Sequence, residues 1–142
     1  MTDEPLDVLI STALTDQLRT PALTSPATPI AFPFAPYTPA SGVSYLAVRP
    51  LLRASPDHPG IAFDAFTMHR GIFQVDVVTP DTHGENPGLR LAALVAARFA
   101  IGTELVAGTY RLQLNSEPTI AAAVMDAPWV RFPVSIPYLV IK

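Results

Sequence analysis

The sequence predicts an α+β domain: a mixed, mainly antiparallel sheet of about four to six strands, with two helices packed on one face. Three observations lead there. Val130, Phe132, Val134, Ile136, Tyr138 and Val140 fall at every second position, the period of a strand with one buried face. The stretch Arg70-Gly-Ile-Phe-Gln-Val-Asp-Val-Val-Thr-Pro80 alternates in the same way, starts after a glycine and stops at a proline, as a central strand does. Two other stretches, residues 3–19 and 86–102, repeat their apolar residues at three- and four-residue steps and carry helix stop signals.

The first helix, over residues 3–19, has its stripe in Leu6, Leu9, Ile10, Ala13, Leu14 and Leu18. Thr2 or Asp3 can cap it, Pro5 suits its first turn, and Asp3, Glu4 and Asp7 suit its positive end. Pro21 ends it. Residues 21–43 then hold six of the chain's sixteen prolines, each fixing its own φ and extending its predecessor. This is an extended arm, with a possible short strand over Ile30–Phe34. Phe32, Phe34 and Tyr37 make it too apolar for a plain linker, so they pack on this subunit or on a neighbour.

Tyr45–Arg53 reads as a strand in which Pro50 denies the ladder one donor, placing it at an edge or at a bulge. Ala54–Gly60 is a loop. Ile61–Met68 reads as a strand joined through a turn at His69-Arg70-Gly71 to Ile72–Val78, an antiparallel hairpin. Phe73, Val75 and Val77 share one face of the second strand, and Gln74 and Asp76 the other. Residues 80–85 are a loop. Asn86 as N-cap, Pro87 at N1 and Gly102 beyond the last turn bound the second helix, with Leu91, Leu94, Val95 and Phe99 as its buried stripe. Glu104–Val106 and Thr109–Leu114 form a hairpin around Ala107-Gly108, and Pro118–Met125 is a further candidate strand. In the final strand Pro133 and Pro137 have the same parity, so one of its edges lacks two donors. That strand sits at a sheet edge or borders a gap.

At 142 residues the chain is a single domain spanning 1–142, long enough to bury about 70% of the surface its unfolded form exposes. Hydrophobic residues make up 49% and charged ones 15%, while no apolar run approaches the roughly 18 residues of a membrane span. Excess apolarity without a span points to an oligomer that buries surface between subunits. The opening Thr2-Asp3-Glu4-Pro5 is acidic and has neither the basic start nor the apolar core of a signal sequence. Net charge is −3, the single lysine is Lys142, and the eight arginines from Arg19 to Arg131 are scattered. A nucleic-acid surface needs a basic stripe, and none exists. There is no cysteine, so disulfides and thiolate metal sites are excluded.

No reactive constellation emerges. His58, His69 and His83 all fall in predicted loops or turns without ligand spacing, and read as ordinary solvated residues. Gly-x-Ser-x-Gly is absent, and Gly84-Glu-Asn-Pro-Gly88 lacks the Lys-Ser/Thr ending of a phosphate loop. Neither a catalytic residue, a cofactor site nor a metal site is expected. Asp76, a carboxylate on a central strand, must be solvated or paired. Solvent exposure is the favoured reading, ahead of an arginine partner across a subunit interface.

The order helix, proline-rich arm, strand, hairpin, helix, hairpin and closing strand resembles the tail terminator-like proteins of long-tailed bacteriophages and prophages. The matching residues are Ile30-Ala-Phe-Pro33, Tyr37-Thr-Pro39, Tyr45-Leu-Ala-Val-Arg49, Gly71-Ile-Phe-Gln-Val-Asp-Val77, Ala97-Arg-Phe99 and Trp129-Val-Arg-Phe-Pro-Val-Ser-Ile-Pro-Tyr138. The resemblance implies a structural virion tail protein without an enzymatic step, assembled in the bacterial host cytoplasm. It would form a hexameric ring that caps the tail tube, ends polymerisation and offers the head its docking surface. Its partners would be copies of itself, the major tail tube protein and a head-completion or connector protein. The expectation includes neither nucleic-acid sequence recognition nor a membrane. Contact candidates are Arg49, Arg53, His69 and Arg70, with Phe32, Phe34 and Tyr37 of the arm. Against each stands the simpler reading of a solvated polar side chain or a locally packed aromatic. The rival classes are another head–tail connector or tail-tube component, and a small enzyme or ligand-binding domain with a deep polar pocket.

Overall fold

The computed structural model describes residues 5–20, 23, 28–50, 52–53 and 68–141, apart from the side chains of 52 and 53. In chain order the elements are α1 (Leu6–Arg19), β1 (Ile30–Ala31), β2 (Tyr45–Val48), β3 (Leu52–Arg53) and β4 (Met68–Pro80). A 3-10 turn (Asp81–His83) leads into α2 (Asn86–Arg98), followed by β5 (Glu104–Ala107), β6 (Tyr110–Gln113), β7 (Thr119–Ile120), β8 (Val124–Asp126) and β9 (Trp129–Ile141). The class is α+β. The strands form one mixed sheet whose main path is β1-β2-β4-β9-β6-β5, while β3, β7 and β8 pair off that path and bring it to nine strands among the described residues. Only β1–β2 is parallel among these pairs.

The axis of the sheet is the β4–β9 ladder, thirteen residues on each strand, paired without interruption from Met68↔Ile141 to Pro80↔Trp129. This overturns the expected turn at His69-Arg70-Gly71. Those residues are strand, held opposite Val140, Leu139 and Tyr138. Glycine and two polar residues signal a turn locally, yet a full-length partner strand outweighs that signal. The expected partner strand over 61–67 lies outside the described residues.

The prolines of β9 explain its uneven neighbours. Gln74 offers its carbonyl to Arg49 on the β2 side of β4, so the odd residues of β4 and the even ones of β9 bond each other. The odd residues of β9 face away, where Pro133 accepts from the Ala121 N–H at 2.8 Å. Pro133 and Pro137 therefore lie on the edge where pairing is split among β8, β7 and β6. The strand is central and borders gaps, the second of the two positions that its prolines allow.

The core combines Ile10, Leu14 and Leu18 of α1 and Leu91, Ala92 and Val95 of α2 with Phe73, Val75, Val77 and the even residues Phe132 to Val140 of the sheet. Burying each large side chain contributes about 1.5–3 kcal/mol. Pro5 precedes the first turn of α1, and Glu85 rather than Asn86 takes the cap position of α2 with Pro87 just inside. The stripe of α2 runs through Gly88, Leu91, Ala92 and Val95 to Phe99. Leu94, expected in that stripe, is exposed because six residues at about 100° each carry it about 120° round the helix from Gly88. Gly88 lets the helix reach the sheet: a Cβ there would overlap the edge of the Phe132 ring at Cε2. The two helices also hold each other. Gln17 Nε2 donates to the Arg98 carbonyl at 2.9 Å, and Arg98 Nη1 donates to the Gln17 and Leu18 carbonyls at 2.9 and 3.3 Å.

The Tyr45–Arg53 prediction resolves into two pieces on β4, with Pro50 between them. The 104–114 hairpin forms as expected, with Leu112 and Leu114 buried and Gly108 at φ +65° in the turn. Pro118–Met125 supplies two short strands rather than one.

Candidate interaction surfaces

On the sheet face away from the α2 stripe, Asp76 is only 1% exposed. Its Oδ2 accepts from Arg49 Nε at 2.7 Å, with Arg49 Nη2 also at 2.7 Å and Arg131 Nη1 at 3.5 Å. Its Oδ1 accepts from Gln74 Nε2 at 3.1 Å. Arg131 also pairs with Asp126 at 3.2 Å. The expectation of a solvent-exposed Asp76 is thereby corrected: it is buried, and its arginine partners come from its own chain. The register shows why. Asp76 stands opposite Ala47 on β2 and Pro133 on β9. Arg49 and Arg131 lie two residues further along those partners, within diagonal reach of long side chains. Sequence reading left Arg131 and Gln74 out, because only the register across three strands gathers them.

The arm crosses beside this network. Tyr37 packs on Tyr45 with centroids 4.9 Å apart, and Tyr45 meets Trp129 edge-on at 5.6 Å. Burial raises the Tyr45 hydroxyl above its ordinary pKa and outweighs the opposing pull of Arg131. Phe32 is half-buried, with the Arg19 guanidinium 6.0 Å from its ring centre. Phe34 differs from both: it is 95% exposed at φ +60°, in the left-handed region that an aromatic residue seldom occupies. Of the contact candidates, Phe32, Phe34, Tyr37 and Arg49 thus share one region. Arg70 is exposed on β4 beside Met68. His69, expected in a solvated turn, is buried on β4 at 7% exposure. The Arg53 side chain lies outside the described residues.

A second surface lies on the far edge of the sheet. Every residue from Thr119 to Pro128 is exposed, among them Ile120, Val124 and Met125. Beside this segment Ala123 and Met125, with Val130, Phe132, Asp81 and Glu85, line an open hollow of about 340 Å³. Nothing in the sequence marked this hollow, since it arises only where β8, β9 and the start of α2 converge. Among the described residues no group of three or more His, Cys, Asp or Glu is placed to hold a metal ion. Nor is any described helix long and apolar enough to cross a membrane.

What the domain displays is an α+β scaffold whose distinctive features are exposed apolar and aromatic surfaces. The chain belongs to the phage tail terminator protein family, whose sequence profile matches residues 9–138. That family is structural, which places the chain among the structural components of the phage tail. One solved structure aligns at 25% identity over 94% of this chain and 94% of its own, with a TM-score of 0.75. A chain from the virion of a native gene transfer agent particle aligns with a TM-score of 0.68 over 99% of this chain and 100% of its own. At 22% identity that likeness speaks for the fold alone. No curated protein sequence matches the chain.

Proposed function

We propose that this chain forms a hexameric ring that closes the growing end of the tail tube, stops its polymerisation and then presents the surface on which the filled head docks. The observation that carries the reading is the family match over 9–138. The ring would satisfy the open interface of the last tube subunits and offer no equivalent surface for the next. Its partners are its own copies, the major tail tube protein and a head-completion or connector protein, met in the cytoplasm of the bacterial host. The two helices occupy one face of the sheet, a reading supported by the single core cluster they share with it. The other face and the edges are then left for neighbours. Phe34, Arg70 and, at 45% exposure, Arg49 are the exposed contact candidates among the described residues; Phe32 and Tyr37 act by holding the arm in place. The test is to add the purified protein to tube subunits as they polymerise. Tubes should stop at shorter lengths as its concentration rises. Unchanged tube lengths at saturating concentration would overturn the reading.

A further inference from the structure

We propose that the Phe32–Ala35 turn is a lid on the groove over the Asp76 face. In the unassembled chain the Phe34 ring lies folded into that groove, and the outward position in this structure is the open state on which assembly draws. The lid follows from the turn and the groove alone; its link to assembly rests on the ring reading.

The open position carries two separate costs. Phe34 stands at φ +60° in a turn closed by the Ala35 N–H on the Phe32 carbonyl at 3.2 Å, with Pro33 before it. Proline suits the second place of such a turn, but a positive φ at the third suits glycine. For a phenylalanine the left-handed backbone lowers the population of this state by about tenfold. The ring is also 95% exposed, so the burial open to it is left unused. A ring so exposed makes few contacts that could offset either cost.

A closed state lies within reach. Turning the peptide between Pro33 and Phe34 converts the turn to type I, which keeps the Ala35 bond and the φ of proline and puts Phe34 at about φ −90°. Rotation about χ1 then brings the ring inwards. The groove that Phe34 borders measures about 340 Å³, and a dry cavity of about 150 Å³ accepts benzene. Its floor has a low point set by sequence. Ala31, Ala47 and Asp76 form one cross-strand row on this face, and Ala47 is flanked on its own strand by Tyr45 and Arg49. Tyr45, with Tyr37 packed on it, walls one end, while Arg49 and Arg131, both engaged by Asp76, wall the other. A ring resting on Ala47 meets a tyrosine and the flat face of a guanidinium that keeps its bonds to Asp76. The arm is pinned on both sides of the lid. Before it, the Leu46 N–H donates to the Pro29 carbonyl at 2.9 Å and β1 pairs with β2; after it, Tyr37 rests on Tyr45. Motion is thereby confined to the turn.

The consequence for assembly is a threshold. A neighbour that takes the Phe34 ring draws it from the open minority, so its apparent affinity falls by the open fraction. Free chains meanwhile keep covered a ring that would otherwise stand in solvent.

The test reads alanine methyl groups by NMR in the wild-type chain, diluted until light scattering reports a monomer. Phe34 ring protons should give cross-peaks to the Ala47 methyl and shift it upfield, and the Phe34 N–H to Hα cross-peak should be the weak one of negative φ. Phe34→Gly should return the Ala47 methyl to an ordinary alanine position and leave that of Ala122, exposed on the far edge, where it was. Glycine takes φ +60° freely, so the same variant should keep its fold. Raising the concentration until the chain assembles should weaken both Ala47 signatures. An Ala47 methyl indifferent to F34G at every dilution would overturn the lid. Signatures equally strong in monomer and assembly would keep the lid and overturn its link to assembly. Signatures intact in a chain that stays monomeric at every concentration would keep the lid and count against the ring.

Discussion

Replacing Arg49 by methionine withdraws the closer guanidinium from Asp76 while keeping most of the side chain's apolar length. Asp76 is 1% exposed on a strand flanked on both edges, and both its closest contacts, at 2.7 Å, come from Arg49. Stripping a fully buried ion of its partner costs about 3–5 kcal/mol. Here Arg131 remains at 3.5 Å, Gln74 keeps the other oxygen bonded at 3.1 Å, and Arg49 itself is 45% exposed. Those three facts reduce the expected loss by roughly half, to about 2 kcal/mol. With a urea dependence of about 2 kcal/mol per molar, the unfolding midpoint should fall by about 1 M. Arg111→Ala is the control, because Arg111 pairs with Glu104 in the open at 77% and 46% exposure and should barely move it. A cycle of R49M with Asp76→Asn should return a coupling of about 1–2 kcal/mol. If R49M matched the R111A control, or if the cycle were additive, the buried pairing of Asp76 would be refuted.

Gly88→Ala should destabilise the domain by up to about 2 kcal/mol, because overpacking costs about 1–3 kcal/mol and the better helix residue returns about 1. Phe132→Leu in the same chain should recover part of the lost melting temperature by vacating the site of the clash. Arg98→Met removes charge-assisted bonds to the last carbonyls of α1 and should cost about 1–3 kcal/mol, read by urea unfolding. Tyr45 should release its proton above the ordinary tyrosine range, seen as an absorbance step missing from Tyr45→Phe. The folded state binds that proton more tightly than the unfolded state. The associated stability is thus full below pH about 10 and is lost as pH rises through the folded pKa.

The elements most legible in the sequence are those whose partners are implied by their own pattern. The unbroken alternation of 130–140 identifies β9 and its buried face, and its two prolines imply a defective edge. Asn86-Pro87 marks the start of α2 within a residue, and Ala107-Gly108 marks the β5–β6 turn to within one residue, the turn pair being Gly108-Thr109. What stayed hidden depends on register. His69-Arg70-Gly71 has turn chemistry and is strand only because Tyr138, Leu139 and Val140 lie opposite. Asp76 occupies the polar parity of β4, and nothing within its own segment says that Arg49 and Arg131 arrive on the diagonals of two other strands. The hollow behind Met125 needs three elements that are remote along the chain. The arm's aromatics could be singled out from composition, but their division into packed (Phe32, Tyr37) and projecting (Phe34) depends on the backbone turn at Pro33-Phe34-Ala35.

The most direct measurement of the account is tail length, by electron microscopy, in particles assembled without this chain. If the protein is the stop that closes the tube, the preparations should contain headless tails that run well beyond the normal length. Tails of normal, uniform length with their heads unattached would contradict that role and assign the chain to head completion.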